Sequence, residues 1–280
     1  MEIIQDPRAF QRATSAWRRE GFRLATVLTM GALHEGHFRL IREARGLGDR
    51  LAVSIFLNPT QFGPHEDLET YPKTFQADVE ACRCRGVDLV FAPSPEAMYP
   101  QGFRTWVHVE GLTDVLCGAY RPGHFRGVTT VVMKLLMLAQ ADVSAFGWKD
   151  AQQLLVLRRM VRDLNVPTEL VGVETVRAPD GLAISSRNAY LTPSERAEAP
   201  RLYQGLQRAH RAFQHGEDDA GRLCAIVRDA IEACPRFKVQ YVQACSMDTL
   251  ELFERVEPGN TLLAAAAFLG ETRLIDNVRL

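Results

Sequence analysis

"TMGALHEGHFRL", residues 29–40, is the stretch on which the reading of the fold turns. It lies between an apolar run, "RLATVL" (23–28), and a segment in which Phe38, Ile41 and Ala44 keep helical spacing. A strand that passes into a helix through such a turn presents free backbone N–H groups and a positive dipole end, which favour an anion. His34 and His37 are three apart and share one face of the first helical turn. Two imidazoles there add donors for a phosphate, and Gly36 leaves room for a flat ring against the helix. The plainer alternative is an ordinary turn with exposed histidines.

The same alternation continues in both directions. Asp6 and Pro7 read as an N-cap and first helical residue, with Phe10, Ala13 and Trp17 in register until Gly21. "LAVSIFL" (51–57), "VDLVFAP" (87–93), "DVSAFG" (142–147) and "TELVGVETV" (168–176) read as strands. A helix capped by Thr74 ends near Gly86, and "VTTVVMKLLMLAQ" (128–140) and "AQQLLVLRRMVRDLN" (151–165) read as further helices. Short apolar strands alternating with helices mean βαβ units and a parallel sheet, whose ligands sit beyond the carboxyl ends of the strands. The expected class is therefore α/β, a Rossmann-like doubly wound parallel sheet. Beyond "RAPDGLAISSRN" (177–188) the pattern changes to helices over about 193–214 and 218–233, with strands near 237–243, 261–268 and 272–279. This predicts a domain of residues 1–176 followed by a smaller α+β domain, 177–280, closing over the site.

The composition sets limits. Of 280 residues, 46% are hydrophobic and 24% charged, enough for a large core. A formal net charge of -1 gives no basic field for nucleic acid or an anionic membrane. No apolar run is long enough to span a bilayer, and "MEIIQDPRAF" does not read as a signal peptide. Six scattered cysteines without a CxxC pair suit reduced thiols in the cytoplasm.

Three further clusters stand near strand ends or after a turn. "NPTQFGPHEDLETYP" (58–72) is a long polar loop in which Gln61 offers an amide to a hydroxyl or carboxylate. In "FGWKDAQQ" (146–153), Lys149 and Asp150 suit phosphate and Mg²⁺ or a ribose. In "ISSRN" (184–188), Ser185 and Ser186 suit triphosphate oxygens and Arg187 a charge-assisted clamp. Singly, each also reads as solvated surface or linker; together they converge on one crevice.

HxGH with a later Ser-rich loop resembles the nucleotidyltransferase superfamily that includes class I aminoacyl-tRNA synthetases. "LTMGALHEGH", "VSIFLNPTQF", "RPGHFRGV", "FGWKDAQQ", "DGLAISSRN" and "TRLIDN", in this order, resemble the pantoate–β-alanine ligases. The resemblance implies ATP-dependent condensation of pantoate with β-alanine through a pantoyl adenylate, releasing pyrophosphate and AMP. It implies ATP contacts from Met30, Gly31, Ala32, Leu33, His34, Glu35, Gly36, His37, Gly147, Trp148, Lys149, Asp150, Val176, Ile184, Ser185, Ser186 and Arg187. Gln61 and Gln153 correspond to pantoate ligands, Gln61 also facing β-alanine. His37, His34 and Lys149 are the expected catalytic set, His37 matching a proton donor. Mg²⁺, a homodimer and no nucleic-acid or membrane partner are further implications. Asp78 falls where the family holds metal, although one helical carboxylate also reads as surface, and the metal ligands stay open. Thr60, Cys117 and Trp148 depart from the family pattern; strand alternation predicts that Trp148 faces away from Lys149, together with Phe146. The other readings are a nucleotidyltransferase that adenylylates a different metabolite, and a non-catalytic nucleotide- or RNA-binding module.

Overall fold

The computed structural model describes residues 1–64 and 66–280, so His65 of the 58–72 loop lies outside the described residues. Six strands, β1 (Glu2–Ile4), β2 (Leu24–Thr29), β3 (Arg50–Ile55), β4 (Leu89–Phe91), β5 (Val143–Gly147) and β6 (Glu169–Val173), form one sheet in the order β1-β4-β3-β2-β5-β6. Every pairing is parallel. The chain winds outward from β2 to β3 and β4, then returns to lay β5 on the other side of β2. The order therefore reverses between β2 and β5, and a crevice opens there at the carboxyl ends.

The helices are α1 (Pro7–Arg19), α2 (Glu35–Arg45), α3 (Phe75–Arg83), α4 (Pro95–Met98), α5 (Cys117–Tyr120), α6 (His124–Ala139), α7 (Ala151–Asp163), α8 (Pro193–Glu198), α9 (Arg201–Gln214) and α10 (Ala220–Glu232). Side chains alternate across the sheet. Leu24, Ala52 and Phe91 pack on one face with Phe10, Leu136 and Leu154. Ala25, Val27, Val53, Val90 and Ala145 pack on the other with Ile41, Ala44 and Cys82. Both faces are covered, so the strands are mostly apolar on both sides instead of alternating, with the buried Thr26, Ser54 and Ser144 hydrogen-bonded within the sheet. Each fully buried Leu or Phe contributes about 1.5–3 kcal/mol.

Beyond residue 176, β7 (Phe237–Ser246), β8 (Thr261–Leu269) and β9 (Thr272–Arg279) form an antiparallel sheet. One face of it (Val242, Ala244, Leu263, Ala265) packs on Leu202, Leu206, Leu223 and Val227 of α9 and α10. Tyr241, Leu262, Ala264 and Ala266 instead join the large cluster of the parallel sheet.

Several boundaries differ from the sequence reading. β1, where the sequence reading assigns no element, pairs with β4 through Glu2–Leu89 and Ile4–Phe91. The helix expected over 193–214 is two, because Pro200 has no N–H to carry the ladder across. α6 starts at His124, four residues before the expected 128, behind Gly123. All six cysteines are free; Cys82 is buried and Cys84 exposed, as expected of residues two apart on a helix.

Candidate active site

The turn after β2 is held from behind. Asp78, on α3, accepts from the backbone N–H groups of Ala32 (2.9 Å) and Leu33 (2.8 Å) and from the Thr74 hydroxyl (3.1 Å). Asp78 is 3% exposed, so the reading of it as surface is overturned. Its carboxylate is taken up by the turn, which needs it: Ala32 has φ 51, a left-handed conformation for a residue with a Cβ.

At the start of α2, Gly36 N–H donates to His34 Nδ1 (3.1 Å), and His34 N–H donates to His37 Nδ1 (3.3 Å). Each ring accepts at Nδ1, so each proton sits on Nε2. Burial pulls His34 down to about 4, helped by Lys149, and His37 to about 3, helped by His34. Both rings are neutral donors near pH 7. Gly36 does admit a flat ring, but the ring is that of His34: a Cβ there would lie 2.9 Å from His34 Cε1.

Opposite stands the turn after β5. The Lys149 ammonium lies 3.7 Å from the Asp150 carboxylate. Desolvation works to raise Asp150, but Lys149 and Arg187 with His124 and His37 outweigh it and hold it below the ordinary carboxylate range. Arg187 donates to Asp67 (2.7 Å), and Tyr71 and Ser186 hydroxyls are 3.3 Å apart. The loop after β3 thus touches the segment 184–188 across the mouth.

The floor is polar and tightly tied. Asn58 donates to Gln61 Oε1 (3.0 Å) and Gly127 O (3.2 Å). Gln61 Nε2 donates to Met30 Sδ (3.0 Å), which leaves its second hydrogen for the crevice. His124 Nδ1 donates to the Gln61 carbonyl (2.8 Å), and Arg121 donates to His124 Nε2 (3.0 Å) while paired to both Glu66 oxygens at 2.6 and 2.5 Å. Burial, with Arg121 adding to it, pulls His124 down to about 4.

These side chains line one cavity of about 230 Å³: Met30, Gly36, His34, His37, Gln61, Gly147, Lys149, Asp150, Gln153, Val176, Ile184, Ser185, Ser186 and Arg187 all border it. A second cavity of about 380 Å³ shares Lys149, Asp150, Ser185 and Arg187. Gly31, Ala32 and Leu33 are turned to Asp78, and Glu35 is on the exposed side of α2. Trp148 does not border the cavity either. Asn58, Tyr71, Arg121 and His124 do, and were not singled out; "RPGHF" before a buried helix was the available signal.

The chain matches the family described as pantoate-beta-alanine ligase over residues 2–279. The pantothenate synthetase of Syntrophotalea carbinolica is 52% identical over 277 residues, 99% of this chain and 98% of its own length. The chain belongs to the pantoate–β-alanine ligase family. The pantothenate synthetase of Moorella thermoacetica is 50% identical, over 99% of this chain and 98% of its own. Pantothenate synthetase from Thermus thermophilus has the same fold (TM-score 0.94, 43% identity, 100% and 99% of the two chains). The pantoate-beta-alanine ligase of Francisella tularensis, in complex with beta-gamma ATP and beta-alanine, follows at TM-score 0.81 and 31% identity over 100% and 97%.

For a pantoate–β-alanine ligase, the three unusual positions have local accounts. Thr60 adds its hydroxyl to Asn58 Oδ1 (2.9 Å), which Tyr99 also reaches (2.9 Å). Cys117 places its thiol 3.1 Å from the Tyr241 hydroxyl and 3.3 Å from an Arg273 nitrogen. Trp148 is 7% exposed and packs in the large cluster, with the Arg279 guanidinium 4.5 Å from its ring. It faces away as expected, for a different reason. Residues 148–150 form a 3₁₀ turn, so strand alternation does not apply, and Phe146 borders the cavity while Trp148 does not. Trp148→Gln is expected to keep turnover within about tenfold while lowering stability by ~1–3 kcal/mol in denaturant titration, the loss of one large buried apolar side chain. A rate loss as large as that of Lys149→Ala at unchanged stability would place the ring against the nucleotide.

Proposed function

We propose that the crevice between β2 and β5 activates the carboxylate of pantoate with ATP and passes the acyl group to β-alanine. The activity itself follows from the family: the protein is a ligase that forms pantothenate from pantoate and β-alanine, with ATP as a substrate. The proposal is how the site divides that work. One observation carries it: the phosphate-type donors (His34, His37, Lys149, Ser185, Ser186, Arg187) face the amides of Gln61 and Gln153 across one cavity.

A carboxylate and a triphosphate repel, so the site must supply positive charge and donors where they meet. A pantoate carboxylate oxygen attacks the α-phosphorus, the bond to the β-phosphate oxygen breaks, and pyrophosphate leaves. The nitrogen of β-alanine then attacks the acyl carbon, the bond to AMP breaks, and the amine proton passes to solvent. A carboxylate needs no general base, so His34 and His37 serve as neutral Nε2–H donors and Lys149 as the charge, aimed at oxygens whose charge grows in the transition state. Arg187 donates from one guanidinium nitrogen to Asp67 and keeps its other N–H groups for the phosphates. Gln61 donates to the acid substrate.

Mg²⁺ is proposed to arrive on the phosphates. Among the described residues no three His, Cys, Asp or Glu side chains are grouped for a metal, and Asp150, exposed and bordering both cavities, is the carboxylate that suits such an ion. When bound, Mg²⁺ would neutralise charge on the leaving pyrophosphate. Residues 1–176 as the ATP- and pantoate-binding domain, 177–280 as the closing one, a homodimer and a cytoplasmic site of action belong to the same proposal. The free cysteines support the last of these. No helix among the described residues is long and apolar enough to cross a membrane.

The test is isotope exchange. Labelled pyrophosphate should enter ATP only with pantoate and Mg²⁺ present, without β-alanine, and the full reaction should yield AMP. Formation of ADP and phosphate would sink the adenylate route. Exchange driven by a different acid in place of pantoate would favour another nucleotidyltransferase.

A further inference from the structure

Gln152 lies two residues beyond the Lys149–Asp150 turn, in the first turn of α7, and is 6% exposed. It does not border the cavity of about 230 Å³ that Gln153 lines, and its hydrogen-bond partners are backbone groups of one distant segment. Cys117 N–H donates to Oε1 (2.9 Å), and Nε2 donates to the carbonyls of Leu112 (2.9 Å) and Val115 (2.8 Å). Two of these groups flank Leu116, which has φ 49 and ψ −123, a strained backbone for a residue with a branched side chain. Such a conformation persists only where its surroundings over-determine it. The chain is also folded hard on itself: a Cβ on Gly118 would lie 1.8 Å from the Thr113 carbonyl oxygen.

The strained turn leads directly into the site. Four residues of α5 separate Leu116 from Arg121, and His124 follows at the start of α6. His124 holds the carbonyl of Gln61, and Arg121 holds His124. We propose that Gln152 is a positioning residue: by clamping the peptide groups on both sides of Leu116 it aims Arg121 and His124, and through them Gln61, at the two organic substrates. The nucleotide-facing groups stand on the turns after β2 and β5 and on the segment 184–187, and none of them shares a side-chain hydrogen bond with Gln152. The assignment rests on the reading of the cavity given under Proposed function.

A purely structural Gln152 would affect all substrates alike; a positioning Gln152 separates them. Gln152→Met keeps the length and removes the hydrogen bonds. It is expected to raise KM for pantoate and for β-alanine about tenfold with KM for ATP within about twofold, the size of effect that a sub-ångström misplacement produces. Hydrogen exchange in peptides covering 112–124 should quicken, since the Cys117 N–H loses its acceptor. Gly118→Ala breaks the same turn without touching α7 and should give the same split. Equal changes in all three KM values, or a Gln152→Met protein that cannot be recovered folded, would make Gln152 a support of the fold and overturn the proposal. So would unchanged KM values in a protein whose unaltered form shows pantoate-dependent exchange. Absence of that exchange in the unaltered protein would instead remove the reading of the cavity.

Discussion

Lys149→Ala is expected to slow pantoate-dependent pyrophosphate exchange by about 10²–10³, and His37→Ala to do the same, because each removes a donor aimed at charge that develops in the transition state. The two substitutions should part company in stability. The Lys149 ammonium makes one ion pair, at 3.7 Å, with a carboxylate that is half exposed. Pairs of that kind contribute about 0–1 kcal/mol, so the unfolding midpoint of Lys149→Ala should hardly move. His37 also accepts the His34 N–H at the N-terminus of α2. Losing a capping partner costs about 0.5–2 kcal/mol, and His37→Ala should be destabilised by that amount. Steady-state exchange rates and denaturant titrations decide both points. Exchange within about threefold of the unaltered protein would remove either residue from the phosphate set.

Asp78→Ala should have the largest effect on stability. It takes the acceptor from two backbone N–H groups and a hydroxyl at 2.8–3.1 Å, in a position 3% exposed. A buried donor left without a partner costs about 1–3 kcal/mol, so a loss of ~3–5 kcal/mol is expected for the group. Activity should fall as well, since the turn that carries His34 and His37 relaxes from the left-handed Ala32. Asp78→Asn presents one oxygen and one NH₂ to two N–H donors, and should recover only part of the stability. A loss below about 1 kcal/mol in metal-free buffer, with an altered Mg²⁺ requirement, would instead make Asp78 a metal ligand.

The parallel sheet was legible because strands buried on both faces carry mostly apolar runs, interrupted only by Thr26, Ser54 and Ser144 around Val27, Val53 and Ala145. β1 was not legible. "EII" is three residues on a sheet edge, and its strand geometry comes from pairing with β4, more than eighty residues away. The start of α6 was missed for a related reason. His124 to Gly127 are not apolar-periodic; they are helical because Gly123, at φ 80, turns the chain and the helix then packs on the floor at Asn58 and Gln61.

Within the site, residue types and their order determined the chemistry on offer: two histidines at helical spacing after a strand, a lysine after another, a serine-rich arginine loop, and six collinear motifs. Their protonation and bonding came only from the tertiary structure. His34 and His37 are neutral because burial removes the water that would stabilise an imidazolium, and their proton positions follow from backbone N–H groups that take up Nδ1. Asp78 is a clamp instead of a surface carboxylate because α3 crosses behind the turn after β2. Arg187 faces Asp67, and Gln152 reaches Leu112, Val115 and Cys117, across separations that no local pattern encodes. Local spacing is set by the periods of helix and strand and can be read from the chain. Partnership between distant polar groups is set by which segments the packed core brings within about 3 Å of each other, and only the fold decides that.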